Sequence, residues 1–291
     1  MSESSMFFSG PLQNVLYEEK PLPLHSSESG HSELFLINRD GKFRVLKCLK
    51  EEYRGNPVYE SLLRKEFEIG YQLDHPNICN TISFCQTENL GNCIEMEWVD
   101  GCTLRELLSR KKPDEHTSKK LILEICDALD YIAGKQIIHR DLKPENILIT
   151  YNGANVKLID FGFSDSDSHA VHKESAGTRS YASPEQLSGG EIDARSDIYS
   201  LGLIIREMGR PYGSIANKCT RRNPSMRYSS AGDLKRAIEN NGTKRIFFWA
   251  IATVLLCALA AWLIFRHPQP AADINILFEE ISDSIEAVSE K

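Results

Sequence analysis

Short apolar runs separated by turn residues predict β-strands in the first half of the chain. The pattern starts near residue 21 and is clearest at residues 34–37 and 43–49. Asp40-Gly41 lies between these two runs, and Asp-Gly in that setting is a strong signal for a hairpin turn. Asn152-Gly153, between two later apolar runs, gives the same signal. We therefore predict two hairpins.

Helices are predicted where longer segments carry apolar residues at helical spacing. Residues 59–69 form one such segment. Thr103 followed by Glu106 has the capping-box pattern that opens a helix. Residues 121–132 contain a dense apolar run, which is typical of a helix buried in a core.

One segment near the end of the chain is apolar without interruption. Residues 246–265 carry no charge, and as a helix they are long enough to span roughly 30 Å of hydrocarbon. Trp249 and Trp262 lie near its ends, as interfacial aromatic residues do. Basic residues are more numerous before the run than after it, so the preceding part is expected to face the cytoplasm. We predict a single transmembrane helix; a buried core helix is the alternative.

Residues 266–291 form a short acidic tail after this run. Its apolar residues alternate at spacings of four and three, which is amphipathic at coiled-coil spacing; they are Ile274, Phe278, Ile281, Ile285 and Val288. Two heptads are few for a coiled coil. An extracytoplasmic amphipathic helix, a homodimer through the tail or the transmembrane helix, contact with a membrane partner, and a disordered tail all stay open.

Composition limits the classes of function. The chain has 291 residues, enough for roughly two domain-sized lobes and additional segments. Its net charge of -7 gives no electrostatic support for a nucleic-acid partner. The eight cysteines are scattered without a C-x-x-C pair, which indicates a reducing compartment rather than disulfides or a zinc site. The first ten residues lack the features of a secretory signal.

The most specific motif is His139-Arg140-Asp141-Leu142-Lys143-Pro144-Glu145-Asn146. It lies between the helical run and a short apolar strand, and its proline prevents the helix from continuing. It therefore presents a carboxylate (Asp141), an ammonium (Lys143) and an amide (Asn146) on one short loop. Phosphoryl transfer needs such a set, to orient the attacking hydroxyl, to neutralise the phosphate and to hold Mg²⁺.

This octapeptide resembles the catalytic loop of the protein kinase family, and its wording is similar to the Ser/Thr branch. The resemblance implies an α+β, bilobal fold over residues 15–240, with a small β-rich N-lobe and a larger helical C-lobe, followed by the transmembrane helix. It implies that Asp141 accepts the proton of a substrate hydroxyl and that Lys143 neutralises the transferred group. ATP and Mg²⁺ are the implied cofactors.

Two further residues match the family's ATP-positioning pair. Lys47 stands where the family has the strand lysine that pairs with the α- and β-phosphates, and Lys50 at the end of that strand is the alternative. Glu66 in the following helix matches the glutamate that ion-pairs this lysine, and Glu68 is the alternative.

The metal ligands follow from the same resemblance. Asp160-Phe161-Gly162 comes after a predicted strand and downstream of the octapeptide. In the family this aspartate and the asparagine of the catalytic loop hold Mg²⁺. Asp160 and Asn146 are therefore the candidate metal ligands.

The glycine-rich loop of the family is poorly matched. Aligned on Leu34, the three motif glycines become Ser27, Ser29 and Ser32, while Gly30 stands one place off. Serine can donate a hydroxyl to phosphate but restricts close approach of the backbone. The resemblance still assigns ATP contacts to all five residues.

The adenine pocket is the last part of the candidate cofactor site. Residues 93–101 resemble the last N-lobe strand and the hinge. On this interpretation Met96 closes the back of the pocket, and the backbone of Glu97 and Val99 binds the adenine edge. Leu148, on the strand after the catalytic loop, completes the set.

Residues 164–180 resemble an activation loop, since they are polar and rich in serine. Ser175 or a neighbour is a candidate phosphosite whose phosphate Arg140 would pair with; an unmodified loop is the alternative. Thr178, in a segment similar to G-T-x-x-Y-x-A-P-E, would hydrogen-bond toward the catalytic loop.

Elsewhere in the chain, two features match the pattern of the family and two depart from it. Asp197 is expected to brace the backbone of the catalytic loop, and Arg227 to pair with Glu185. The interval between Glu185 and Arg227 is shorter than the family usually has, which puts substrate docking in question. Gly70 falls where the family usually places a bulky apolar residue; either a gap remains there or Tyr71 fills it.

The leading hypothesis is a single-pass membrane kinase that phosphorylates Ser or Thr of proteins, with its kinase domain in the cytoplasm. The alternative is a pseudokinase that acts as a membrane-tethered nucleotide-binding or scaffolding module. A third hypothesis, phosphate transfer to a small molecule, is disfavoured by the segment around Thr178.

Overall fold

The computed structural model describes residues 21–26, 30–162, 180–209 and 211–266, with the helical backbone alone at 242–250 and 264–265. Several predicted features lie outside the described residues, namely Ser27, Ser29, Ser175, Thr178 and the tail 267–291. The predicted domain limits of 15–240 stay a prediction.

Five antiparallel strands form the N-lobe sheet in the order β1-β2-β3-β5-β4. They are β1 (Leu22–Ser26), β2 (Ser32–Arg39), β3 (Lys42–Leu49), β4 (Thr81–Thr87) and β5 (Gly91–Glu97). Asp40 and Gly41 join β2 to β3 with φ of 53° and 75°. Two consecutive positive φ angles are what a tight hairpin turn requires, so the predicted hairpin is confirmed.

Strand register places the predicted nucleotide-binding residues on one face of this sheet. Leu34 pairs with Lys47, which in turn pairs with Ile94, and Val45 pairs with Met96. Directly paired residues point to the same side of an antiparallel sheet. Leu34, Lys47 and Met96 therefore lie on one face of the sheet. Ile94 lies on the same face, and Leu63 of the neighbouring helix packs against it.

That helix, α1 (Pro57–Tyr71), confirms the one predicted at 59–69. The side chain of Asn56 accepts the N–H of Val58 at 3.0 Å, and Pro57 occupies the first helical position, where its missing N–H costs no bond. The buried positions are spaced three and four apart; they are Leu62, Leu63, Glu66 and Gly70. This spacing turns Glu66 inward with the apolar face.

Gly70 leaves no place for a larger residue. A Cβ built at Gly70 would lie 2.4 Å from Thr81 Oγ1, because the β4 side chain occupies the space that a bulky residue would take. Tyr71 does not fill this position, since its side chain is 62 % exposed. A small cavity between Glu66, Thr81 and Met96 remains beside the glycine.

The C-lobe contains a small antiparallel sheet and the larger helices. The sheet has the order β6-β7-β8, with β6 (Gly101–Thr103), β7 (Ile147–Thr150) and β8 (Val156–Leu158). The helices are α2 (Leu104–Arg110), α3 (Glu115–Gly134), α4 (Pro184–Ser188), α5 (Ala194–Met208), α6 (Gly213–Cys219) and α7 (Ala231–Arg266). In the part of the chain that the structure describes, 3-10 turns occur at Glu51–Tyr53, Pro144–Asn146 and Pro224–Met226.

The main apolar core joins α3, α5 and α6 to the small sheet. Leu121, Ile125, Leu201 and Ile204 are fully buried in it. Burial of such a side chain is worth about 1.5–3 kcal/mol. Gly202 on α5 lets α6 approach closely, because a Cβ there would meet Cys219 at 2.4 Å. This core fixes the helices from which the catalytic loop is supported.

Backbone hydrogen bonds fasten the β4 side of the N-lobe to the small sheet. The N–H of Cys79 donates to Leu158 O at 2.8 Å, and the N–H of Leu158 donates to Asn77 O at 2.8 Å. The Asn77 side chain adds a bond to Val156 O at 3.1 Å. Ile78 thereby forms an isolated parallel bridge with Leu158 at the edge of β8.

The chain divides into two compact units, Met1–Glu239 and Asn240–Lys291. In the second unit, α7 exposes large apolar side chains, among them Val254, Leu255 and Leu256. The predicted transmembrane helix at 246–265 is not supported within the described residues, where no helix is both long and apolar enough to cross a membrane.

Candidate active site

Lys47 is held between two carboxylates in the centre of the site. Its Nζ lies 2.6 Å from Glu66 Oε1 and 3.1 Å from Asp160 Oδ1. The strand, the α1 helix and the segment after β8 thus meet at one ammonium group. This ion pair joins Lys47 and Glu66, the predicted partners, and does not involve the alternatives Lys50 and Glu68.

The electrostatics keep this ammonium charged. Burial alone would lower the pKa of Lys47, but the carboxylates of Asp160 and Glu66 outweigh it and hold that pKa above its ordinary value. Burial likewise opposes ionisation of Asp160, yet Lys47 and Lys143 depress its pKa well below the usual range. Asp160 is therefore an ionised carboxylate at neutral pH.

The catalytic-loop residues form a second hydrogen-bonded set. Lys143 Nζ donates to Asp141 Oδ2 at 2.8 Å. Asn146 Nδ2 donates to the same oxygen at 2.9 Å and to the Asp141 carbonyl at 2.8 Å. The 3-10 turn Pro144–Asn146 brings the amide back onto the aspartate. Burial raises the pKa of Asp141, and the ammonium of Lys143 works against that shift.

Asp197 braces this loop from α5, as predicted. Its two carboxylate oxygens accept the backbone N–H groups of His139 and Arg140 at 2.8 and 2.9 Å. Arg140 adopts φ 65°, which is strained for a residue other than glycine. Gln186 Nε2 holds the Arg140 carbonyl at 2.7 Å, so contacts on both sides enforce the strained conformation.

Asn146 and Asp160 fit a Mg²⁺ ion. The amide nitrogen of Asn146 is committed to Asp141, which leaves the amide oxygen for a cation. The Ile159 N–H donates to Asn146 O at 3.1 Å, so the residue preceding Asp160 is bonded directly to Asn146. Carboxylate and amide oxygens are the ligands that Mg²⁺ takes beside substrate phosphates.

Three predicted adenine-pocket residues lie together. Val99 and Leu148 are buried in one small cluster against which Met96 packs. Cys79 belongs to the same cluster, and sequence reasoning missed it because no motif marks it. Its Sγ faces the Glu97 carbonyl at 3.8 Å, and burial raises the pKa of the thiol to about 12. The floor of the pocket is therefore apolar and uncharged.

The remaining predicted ATP contacts differ in how they are placed. The Glu97 N–H donates to Asn80 O at 2.9 Å, and the Glu97 carbonyl lies 3.8 Å from Cys79 Sγ. Ser32 opens β2 opposite Leu49, and Gly30 stands two residues before it. Leu34 packs beside Met96 on the inner face of the sheet.

A cluster around Arg105 was not predicted. Its guanidinium binds Glu145 at 2.8 Å, Glu207 at 2.9 Å and the Tyr181 hydroxyl. Tyr181 also donates to Glu207, and Ser200 Oγ holds the Tyr181 carbonyl at 2.9 Å. One arginine thus joins α2, the catalytic loop, the residue after the activation-loop region and α5.

The predicted ion pair between Glu185 and Arg227 is confirmed as a two-pronged contact. The two guanidinium nitrogens lie 2.6 and 2.7 Å from the two carboxylate oxygens. Burial would raise the pKa of Glu185, but the bonds from Arg227 and Ser196 lower it to about 2. The pair fastens α4 to the turn Pro224–Met226.

Comparison with known proteins agrees with this geometry. Residues 28–223, more than half of the chain, match the family model described as the protein kinase domain. Serine/threonine-protein kinase PknB of Mycobacterium leprae is 36 % identical over 172 residues, covering 56 % of this chain and 28 % of that protein. Serine/threonine-protein kinase PrkC of Bacillus subtilis is 35 % identical over 168 residues, covering 56 % and 26 %. The matched part therefore spans about a quarter of the length of these relatives.

The fold has close structural counterparts. The PknI kinase domain of Mycobacterium tuberculosis superposes with a TM-score of 0.60 at 20 % identity, covering 75 % of this chain and 94 % of that one. This likeness establishes the bilobal fold. The family match, which includes the Lys47, Asp141 and Asp160 motifs, establishes the relationship. The chain belongs to the protein kinase family.

Proposed function

We propose that the chain transfers the γ-phosphoryl group of ATP to Ser or Thr hydroxyls of proteins. The proposal rests on two sets of ion-paired residues that interact electrostatically with each other. Lys47 binds Glu66 and Asp160, while Lys143 binds Asp141 and also lowers the pKa of Asp160. The Ser/Thr kinase names of the relatives support the same substrate class.

Asp141 is the group that orients and deprotonates the acceptor hydroxyl. Among the described residues, the Lys143 and Asn146 bonds both reach its Oδ2, so Oδ1 can accept the hydroxyl proton. The pKa of Asp141 is raised by burial, which makes the carboxylate a better proton acceptor at neutral pH. Lys143 remains beside it to neutralise charge on the transferred group.

Lys47 positions the nucleotide from the opposite side. Glu66 and Asp160 fix its ammonium from two directions, so that the phosphates meet a charge already oriented. Asn146 and Asp160 would hold Mg²⁺, which would supply positive charge to neutralise the charge that develops on the phosphates. Met96, Val99 and Leu148 supply the apolar surface for adenine.

The test is phosphate incorporation into a generic protein substrate with Mg-ATP. Asp141→Asn and Lys47→Met are expected to reduce incorporation by roughly 10²- to 10⁴-fold, the range typical for loss of acid–base catalysis or of a key positioned charge. Lys50→Met is the matched control, since Lys50 lies one residue beyond β3, and it should retain most activity.

The same experiment separates the kinase from the pseudokinase. Wild-type protein that binds Mg-ATP in calorimetry but incorporates no more phosphate than the Asp141→Asn variant would support a nucleotide-binding scaffold. The intact Asp141, Asn146 and Asp160 set favours the enzyme, because a scaffold has no physical need for it.

We also propose that residues 246–265 anchor the chain in a membrane with the kinase domain on the cytoplasmic side. Support comes from the uncharged sequence and from the basic residues that precede it. The exposed apolar side chains of α7, among them Val254 and Leu259, agree with an apolar surrounding. Fractionation that recovers the full-length chain entirely in the soluble fraction would exclude the anchor.

A further inference from the structure

The segment that follows the serine-substituted loop is tied to the linker between β3 and α1. The N–H of Lys50 donates to His31 O at 2.9 Å, which extends the β2–β3 pairing by one residue. Next to it, Arg54 lies 2.8 Å from Glu33. Arg54 in turn donates to Leu49 O at 2.9 Å. Backbone and ion pair therefore hold residues 31–33 from one side.

Three aromatic rings also contact this segment. The His31 ring centroid lies 5.5 Å from that of Tyr59 and 6.4 Å from that of Tyr53. The two tyrosine rings are 4.5 Å apart. Both tyrosines pack on the cluster formed by Leu49, Leu63 and Ile94, so the stack rests on the N-lobe core. We call His31, Glu33, Tyr53, Arg54 and Tyr59 the loop clamp.

The clamp reaches the catalytic lysine pair through α1. Tyr59 stands seven residues, or about two turns, before Glu66, which places both on one side of the helix. Glu66 binds Lys47 at 2.6 Å. A displacement of residues 31–33 would therefore shift α1, the helix that orients the ammonium of Lys47.

Such an anchor has a physical role where glycines are replaced by serines. A glycine-rich loop follows the phosphates because its backbone is permissive, whereas serine restricts that freedom. A less adaptable loop binds well when it is held in place beforehand, since less conformational entropy is lost on binding. The clamp supplies that constraint at the end of the loop that the structure describes.

We propose that the loop clamp positions residues 30–33 over the ATP phosphates and couples nucleotide binding to α1. This inference rests on the proposed function. Tyr59 and His31 are then positioning residues, since they act through the loop and α1 rather than by touching the reacting atoms. The clamp determines the affinity for ATP more than the rate of transfer.

Tyr59→Leu tests the clamp, because it removes the ring shared by two of the three aromatic pairs. We expect KM for ATP to rise roughly three- to tenfold with kcat nearly unchanged, in line with the strength of aromatic pairs. Tyr59→Phe keeps the ring and should restore KM. Tyr71→Leu is the matched control on the same helix, since Tyr71 is exposed and stacks on Phe67.

A second readout keeps the test independent of turnover. Amide exchange at residues 30–34 of the nucleotide-free protein should quicken in Tyr59→Leu and in Glu33→Gln, but not in Tyr71→Leu. Equal exchange in all variants, or an equal rise of KM in Tyr71→Leu, overturns the clamp. Absence of phosphate transfer by the wild type would overturn the proposed function instead, while exchange still decides the clamp.

Discussion

Gly70 is a residue whose role depends on a partner far along the chain. A Cβ at this position would lie 2.4 Å from Thr81 Oγ1 and 3.3 Å from Thr81 Cβ. Both residues are buried, so neither can move freely into solvent. The hydroxyl of Thr81 therefore occupies the space that a side chain at residue 70 would need, and the two residues form one complementary contact between α1 and β4.

Gly70→Ala should destabilise the protein by about 1–3 kcal/mol despite the higher helix propensity of alanine, because the methyl group overpacks the contact. Thr81→Ala alone should cost about 1 kcal/mol or less. In the double variant the alanine at residue 70 gains the space of the hydroxyl, so the two effects should partly cancel in denaturant unfolding. Strict additivity would show that Thr81 is not what limits the size of residue 70.

The pair between Glu185 and Arg227 fastens α4 to the turn Pro224–Met226. Burial would raise the pKa of Glu185, but the bonds from Arg227 and Ser196 outweigh it and lower the pKa from 4.5 to about 2. A depressed carboxylate pKa stabilises the fold fully above the ordinary value. That contribution decreases as pH falls from about 4.5 toward 2, because protonation then removes the charge that Arg227 binds.

A double-mutant cycle with Glu185→Gln and Arg227→Met should therefore give a coupling energy that depends on pH. We expect a larger coupling energy at pH 7 than near pH 3.5, measured by urea unfolding. A coupling energy that is the same at both pH values would mean that Glu185 does not titrate with this pair.

Arg105 is the contact through which α2 reaches Glu145 of the catalytic loop, Tyr181 and α5. Its removal frees the catalytic-loop residue Glu145 and leaves the buried Tyr181 without one of its two hydroxyl partners. Hydrogen bonds to charged groups contribute about 1.5–3 kcal/mol each, and here half-exposure reduces the value. Loss of the contacts made by Arg105 should therefore change the kinetic constants several-fold.

Arg105→Met should raise KM for the protein substrate about five- to thirtyfold while KM for ATP changes little, since Glu145, Tyr181 and Glu207, which Arg105 contacts, are not assigned to the nucleotide. Steady-state kinetics with each substrate varied in turn separates the two. Arg110→Met, on the exposed end of the same helix, serves as the control. An equal rise of KM in both variants would show that the effect comes from the loss of positive charge on α2 in general and not from the Arg105 cluster.

At the scale of the whole molecule, the sequence predicted those parts of the site that lie within one short segment. Lys143 and Asn146 both bind Asp141 within a segment of six residues, so their spacing determines the geometry. Hairpins and caps were predictable for the same reason: Asp40-Gly41 and Thr103 with Glu106 act through neighbours.

Contacts between distant segments were predictable where the family resemblance carried a motif, and not elsewhere. Lys47 with Glu66, and Glu185 with Arg227, are separated by many residues but each stands in a recognisable motif. Thr81 against Gly70, and Arg105 with Glu207, have no such mark, because they depend on how a particular side chain fills space between elements. Periodicity indicates which face is buried and does not specify its partner.

The two compact units allow a prediction about what each contributes. Unit Met1–Glu239 contains every described residue of the active site, and unit Asn240–Lys291 contains the uncharged run. A chain that ends at Glu239 should therefore unfold cooperatively and transfer phosphate at a rate within about twofold of the full chain. It should also remain in the supernatant when the full chain is recovered with membranes.

The matched control for this truncation keeps the full length of the chain and changes the polarity of the apolar run. Replacement of Leu255, Leu256 and Leu259 by lysine should remove membrane recovery, because each charge within a spanning segment costs about 2.5–3.5 kcal/mol. Phosphate transfer by the soluble fraction should persist in both forms, since no described active-site residue lies in this segment. If the lysine variant still sediments with membranes after carbonate washing, the apolar run is not the anchor, and the attachment must be sought outside residues 246–265.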